Sequence, residues 1–254
     1  MSRRRELCLD SLEQAAQALA TSRAAVAFTG AGMSVESGIP DFRSAHGLWR
    51  TYPPDEYATM SAFSADPAKV WVMLRAMVGV LSAAEPNPGH QALAQLQRMG
   101  RLRRVITQNI DGLHRRAGSV DTIEVHGSTT GLHCPSCTLR DKRASIPTRG
   151  VPPCPRCGRA MKPPVVLFEE GLPPGAMGEA MRLADACDLM LVVGTSLAVY
   201  PVASLPDLAI RAGATIVEVN TEPGHLRREG AIELAGGAAQ VLPLLIERAL
   251  ELAG

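Results

Sequence analysis

AAVAFTGAGMSVESGIPDFR, residues 24–43, is the stretch that decides the fold. Ala24 to Phe28 is a short apolar run with no polar alternation, as expected of a strand covered on both faces. Thr29-Gly30 stops it. Gly30 and Gly32 permit a tight turn and a close approach of the backbone to a pyrophosphate at a helix N-terminus. A third glycine would be expected three residues further on, but position 35 is Val. A bare G-x-G also reads as an ordinary strand-to-helix turn. Ile39-Pro40-Asp41-Phe42-Arg43 is constrained and polar where a dehydrogenase would be continuing its helix.

Outward from this turn, short β-branched runs recur: Val105 to Thr107, Thr122 to Val125, Val165 to Phe168, Leu189 to Val193 and Thr215 to Val219. Helical periodicity lies between them, over Gln91–Met99, Ala176–Ala186 and Leu242–Leu252. This alternation predicts an α/β protein with a doubly wound, parallel, Rossmann-like sheet. Two segments depart from it. Residues 45–85 hold both tryptophans and two of the three tyrosines and read as a helical insertion. Residues 127–163 are proline-rich, carry four cysteines and show no long periodic run. The chain is expected to be one catalytic domain of two parts. The larger would span about 1–44, 86–126 and 164–254, and the smaller 45–85 and 127–163.

The 254 residues are 46% hydrophobic and 20% charged, which excludes a disordered chain. Aromatics are only 4%, too few for a platform that stacks single-stranded nucleic acid. The formal net charge of +1 argues against global attraction to DNA or a membrane surface. From His133 to Lys162 there are seven basic residues and one acidic, or +6, which leaves +1 − 6 = −5 for the rest. The longest uncharged run, Leu189 to Pro206, contains two prolines and a glycine and reads as strand plus loop, not a membrane span. Glu6, Asp10 and Glu13 interrupt any apolar signal core. The expected location is cytoplasmic.

Cys134-x2-Cys137, sixteen residues, then Cys154-x2-Cys157 is the spacing of two metal-binding knuckles. Four thiolates complete a tetrahedron around Zn²⁺ and leave no position for water, so the expected zinc is structural, one per chain. The basic residues nearby complement the local negative charge. Cys8 and Cys187 read as a terminal and a core residue.

The run Gly30 to Ser44 resembles the signature of the sirtuins, the NAD-dependent protein deacylases. Further matches follow in order: TQNID at 107–111, His126-Gly127, the cysteine pairs, PPVVLFEE at 163–170, GTSLAVYP at 194–201 and VEVN at 217–220. One departure stands out: the family usually has Phe-Gly-Glu where this chain has Phe168-Glu169-Glu170.

The resemblance implies NAD as co-substrate, contacted by Gly30, Ala31, Gly32, Ser34, Ile39, Pro40, Asp41, Phe42, Arg43, Trp49, Gln108, Asn109, Ile110, Asp111, His126, Gly194, Thr195, Ser196, Asn220 and Ala238. It implies His126 as the catalytic base, with Asn109 and Asp111 positioning ribose and nicotinamide. Val165, Val166 and Phe168 on one side, with Leu197 and Val199 on the other, would hold an acyl-lysine peptide as an added strand. The implied reaction starts with attack of the acyl oxygen on the ribose carbon bearing nicotinamide. A ribose hydroxyl, activated by His126, then attacks the acyl carbon. Nicotinamide, free lysine and O-acyl-ADP-ribose result. A branch that removes succinyl groups carries Tyr-x-x-Arg where an ungapped count from His90 puts Leu74 and Met77, so a neutral acyl group is expected. A two-residue shift would put Arg75 at the arginine position instead. Rival readings are an NAD-dependent oxidoreductase, a zinc-ribbon nucleic-acid adaptor and, within the family, a mono-ADP-ribosyltransferase.

Overall fold

The computed structural model describes residues 8–40, 47–226 and 230–253. Six parallel strands form its main sheet: β1 (Ala25–Thr29), β2 (Arg104–Thr107), β3 (Ile123–Glu124), β6 (Leu189–Val193), β7 (Thr215–Asn220) and β8 (Ile232–Ala235). Between β3 and β6 in sequence, β4 (Leu132–His133) and β5 (Arg140–Asp141) pair antiparallel by themselves. The sheet order β3-β2-β1-β6-β7-β8 reverses direction between β1 and β6. Ligands of doubly wound sheets bind at such a reversal, outside the carboxyl ends of the strands.

Strand periodicity explains the two layers. Ala25 and Ala27 of β1 and Leu189, Leu191 and Val193 of β6 point into one core. That core is closed by α1 (Leu9–Thr21), α6 (Pro88–Arg98) and α10 (Ala238–Ala253). Val26, Phe28, Met190 and Val192 point to the other face, against α8 (Ala176–Ala186) and α9 (Leu205–Arg211). The predicted runs at 24–28, 105–107, 122–125, 189–193 and 215–219 all fall on sheet strands. The helix expected at Ala176–Ala186 is found at those bounds, and those expected at 91–99 and 242–252 are longer at their N-terminal ends.

A third core lies apart from the sheet. The segment predicted to be helical forms α2 (Leu48–Thr51), α3 (Pro54–Tyr57), α4 (Met60–Ala65) and α5 (Pro67–Ala83). Phe63, Val70, Trp71, Met73 and Leu74 pack there against Leu132, Cys134, Cys154, Met161, Val165 and Leu167. Two insertions far apart in sequence thus bury each other. Buried Trp71 donates its indole N–H to the Met161 carbonyl at 2.9 Å.

One expectation is corrected. Val165 to Phe168 is not a sheet strand. It is an extended ribbon with isolated bridges, Gly127 to Val165 and Thr59 to Phe168. Its β-branched composition reflects burial in the third core, not sheet pairing. The strand at Ile232–Ala235 and the helix at Leu9–Thr21 have no counterpart in the sequence reading. The glycine turn does not open a long helix: two 3₁₀ turns, Ala31–Met33 and Val35–Ser37, end at Gly38, whose φ is +84°, just before Pro40. Among the described residues, no single helix is long and apolar enough to cross a membrane.

Candidate active site

A cavity of about 790 Å³ opens at the reversal point between β1 and β6 and runs outward to the third core. Its inner end is made of strand-end backbone. The Gly30 N–H donates to the Val193 carbonyl at 3.0 Å, and the Gly32 N–H to the Gly194 carbonyl at 2.8 Å. A Cβ on Gly32 would lie 2.6 Å from the Gly194 Cα, and Gly194 itself sits at φ +58°. The glycines are therefore required first by the crossing of two turns, which leaves both turns open to the cavity. Gly30, Ala31, Gly32, Gly194, Thr195, Ser196, Asn220 and Ala238 all line it.

Beneath this floor is a polar cluster. Ser34 Oγ donates to Asp111 Oδ2 at 2.7 Å and accepts from Asn109 Nδ2 at 3.1 Å. Asn109 Nδ2 also donates to the Gly30 carbonyl at 3.0 Å, and its backbone N–H to Thr107 Oγ1 at 3.0 Å. Thr107 Oγ1 receives the Thr29 hydroxyl at 2.8 Å, and His114 Nε2 lies 3.0 Å from Thr29 Oγ1. Burial raises the Asp111 carboxyl's pKa against the pull of Ser34 and the Leu113 N–H. Burial pushes His90, beside Ser34, down to about 4 and His114 far below its usual value, so both rings are neutral. Ser34, Asn109 and Asp111 do not themselves line the cavity; Gln108 and Ile110, between and beside them, do.

His126 stands two residues past β3, on the cavity wall. Its Nδ1 lies 3.1 Å from the Gln108 carbonyl, which can only accept. Nδ1 therefore carries the proton, and Nε2 keeps its lone pair. Burial lowers the pKa, partly offset by the Gln108 carbonyl. Gln108 Nε2 in turn donates to Thr195 Oγ1 at 2.9 Å, and Asn220 Nδ2 to the Thr195 carbonyl at 3.1 Å. A continuous chain of polar groups thus joins the ends of β2, β3, β6 and β7.

The outer end is apolar. Trp49, Ala58, Met73, Leu74, Met77, Val165, Val166, Leu167 and Phe168 line it. Val166 donates its N–H to the His126 carbonyl at 2.9 Å, so the base and the ribbon share one backbone contact. Val199 lines the cavity, whereas Leu197 packs into the sheet's second core. Ile39 and Pro40 lie off the cavity wall, and Asp41, Phe42 and Arg43 fall outside the described residues. Arg75 is directed away: its Nη1 donates to the Gly150 carbonyl at 2.7 Å and its guanidinium lies over Trp71.

The four predicted cysteines converge. Their Sγ atoms lie within 4.8 Å of one another, with Cys134–Cys157 and Cys137–Cys154 at 3.5 Å. Sulfurs at about 2.3 Å from a central zinc would stand about 3.8 Å apart, so the quartet fits a tetrahedral ion. Two residues went unread. Glu36 caps α10 by accepting the Ala239 N–H at 2.6 Å, and His225 Nδ1 lies 2.8 Å from buried Glu218 Oε1. Both line or border the inner cavity, and no local sequence signal marks either.

The sheet order and the turn at its reversal point define a nucleotide-binding α/β enzyme, with a zinc-type module and a helical insertion supplying a second wall. The Sir2 family profile matches residues 30–201, and the chain belongs to that family. It is 48% identical over 236 residues to "NAD-dependent protein deacylase 2" of Pyrobaculum aerophilum, covering 91% of this chain and 93% of that one. Identity to "NAD-dependent protein deacylase" of Thermococcus kodakarensis is 44% over 244 residues, covering 93% and 95%. A Sir2 homologue solved as its NAD complex superposes with a TM-score of 0.90 at 39% identity, covering 99% of this chain and 98% of the other. Sir2Af2 bound to a myristoylated histone peptide superposes at 0.80, also with 39% identity, covering 96% and 98%.

Proposed function

We propose that this chain is an NAD-dependent protein-lysine deacylase, acting on acetyl and other neutral acyl groups. The observation that carries the reading is His126: a neutral imidazole with Nε2 free, where the polar floor meets the apolar outer cavity. Bound NAD would supply a ribose carbon joined to cationic nicotinamide, the bond that the acyl oxygen of lysine breaks. The chain's own groups do the rest. Gly30, Ala31, Gly32 and Ser196 offer open backbone and a hydroxyl for the pyrophosphate. Asn220 and Ala238 border the adenosine end. The Ser34–Asn109–Asp111 cluster, whose amide and carboxyl are paired within the protein, holds Ile110 and the Gly30 carbonyl in place beside the nicotinamide end. His126 Nε2 accepts the proton of a ribose hydroxyl as that oxygen attacks the acyl carbon.

The peptide would lie extended between the Val165–Phe168 ribbon and the Leu197–Val199 segment, with its acyl chain directed into the apolar end. Leu74 and Met77 line that end and are fully or nearly buried. Neither can pair with a carboxylate, and an unpaired buried charge costs several kcal/mol. This supports neutral acyl groups over succinyl. Zinc held by the cysteine quartet supplies no chemistry at His126; it closes the module against which the ribbon packs. The relatives' names and the apolar acyl end favour deacylation over ADP-ribosyl transfer to protein. The test is nicotinamide release with an acetyl-lysine peptide against the same peptide carrying unmodified lysine. Release only with the acetylated peptide is expected; release independent of acetylation would favour ADP-ribosyl transfer or simple hydrolysis.

A further inference from the structure

We infer that Glu169 is a positioning residue for the peptide: its carboxylate fixes the turn of the groove wall in the form that pairs with an extended substrate. The inference rests on the deacylase reading above. Glu169 carries a side chain at φ +72°. That is left-handed backbone, which a side-chain-bearing residue adopts at a cost and keeps only where its surroundings hold it.

What holds it is visible. Glu169 Oε2 accepts the Ser61 backbone N–H at 2.8 Å and the Ser61 hydroxyl at 2.6 Å, at the start of α4. These bonds hold the exposed carboxyl below its usual range. On the same side, the Phe168 N–H donates to the Ala58 carbonyl at 2.8 Å, and the Met60 N–H to the Phe168 carbonyl at 3.0 Å. The next residue turns the other way. Glu170 Oε2 accepts from buried Lys162 Nζ at 2.8 Å and from the Leu167 N–H at 2.8 Å, while Lys162 Nζ also donates to the Val165 carbonyl at 2.6 Å. Glu169 therefore ties the ribbon to α4, while Glu170 and Lys162 brace it from within. Leu197, whose side chain packs into the sheet's second core, also has positive φ, +51°, and its N–H donates to Thr195 Oγ1 at 3.2 Å.

With glycine at 169 the turn would sample several conformations, and peptide binding would include selecting one. The glutamate makes that selection in advance.

The experiment measures kinetics on one acetyl-lysine peptide for wild type, Glu169→Gly, Glu169→Gln, Ser61→Ala and the Glu169→Gly/Ser61→Ala double variant. Glycine is at ease at this φ, so Glu169→Gly relieves strain and does not threaten folding. Its peptide KM should rise about fivefold, with kcat and the KM for NAD within about twofold, as expected for loss of a hydrogen bond that only positions. Ser61→Ala should do the same in kind, and the double variant should be no worse than Glu169→Gly. Glu169→Gln keeps an acceptor for Ser61 and should stay near wild type. Unchanged peptide KM in Glu169→Gly, additive effects in the double variant, or Gln as impaired as Gly would each overturn the inference, the last by assigning the effect to charge. If wild type shows no NAD-dependent turnover of the peptide, the deacylase reading falls and this inference with it. An active wild type with indifferent variants removes the inference alone.

Discussion

The inner and outer walls of the cavity are built by opposite means. The inner wall is backbone against backbone: Gly30 and Gly32 lock onto Val193 and Gly194 at the ends of two central parallel strands. The outer wall is a ribbon outside the sheet, held by side chains: Lys162 and Glu170 from within, Glu169 and Ser61 from the helical insertion. The inner wall tolerates almost no substitution, because an added Cβ meets main chain that cannot move. The outer wall can be retuned one side chain at a time. A fixed floor suits one co-substrate, and an adjustable wall suits a varied class of peptides. His126 joins the two, its ring bonded to the Gln108 carbonyl and its own carbonyl to the Val166 N–H.

If the outer wall depends on the cysteine module, breaking the module should have the largest effect. Cys134→Ser should abolish stoichiometric zinc and collapse the third core, since Cys134 and Cys154 are buried in it. Metal binding of this kind is worth roughly 10–16 kcal/mol in small zinc peptides and is folding energy for the module. Metal analysis and activity on the same sample check it; a stable, metal-free, fully active variant would separate the wall from the module.

Removing the junction comes next. His126→Ala should lower turnover by about 10²–10⁴-fold while leaving the fold and most NAD affinity intact. Turnover measured beside NAD binding by calorimetry separates the two. The acyl end should discriminate more modestly. Acetyl- and butyryl-lysine peptides should exceed a matched succinyl peptide by at least about tenfold in kcat/KM, because Leu74 and Met77 offer a carboxylate no partner. Equal rates would place a cation in the outer wall that the described residues do not provide.

The smallest effect is a displacement along the pH axis. His126 acts as a base, so it works neutral, and protonation on the acid side stops it. Burial lowers its pKa from the usual 6.5, so the acid limb of kcat/KM should fall below that value. A limb above it that vanishes in His126→Ala would mean that the ring is less buried than the fold requires.

How legible each wall was in the sequence follows from the same contrast. The first half of the inner wall was readable because strand β1 runs directly into its glycine turn within one short window, whereas its partner turn at Gly194 lies some 160 residues away. The cysteine quartet was readable because each knuckle is four residues long. Residues 165–168 were misread as a strand because a β-branched run signals burial, not which sheet it joins. Pro163 and Pro164 ahead of it were the local warning. The helix Leu9–Thr21 carried its signal in Leu12, Ala15, Ala16 and Leu19, a helical stripe packed on the first core. The Glu36 cap on Ala239 spans 203 residues, and Glu169 reaches Ser61 across 108, so no window of sequence contains either contact.

The central claim is that the floor delivers a ribose hydroxyl, not water, to the acyl carbon held at the outer wall. Mass spectrometry of all products from an acetyl-lysine peptide, incubated with and without NAD, tests it most directly. The account predicts one O-acetyl-ADP-ribose and one nicotinamide for each lysine freed, and no deacetylation without NAD. Free acetate as the primary product, or loss of the acetyl group with NAD unconsumed, would contradict it.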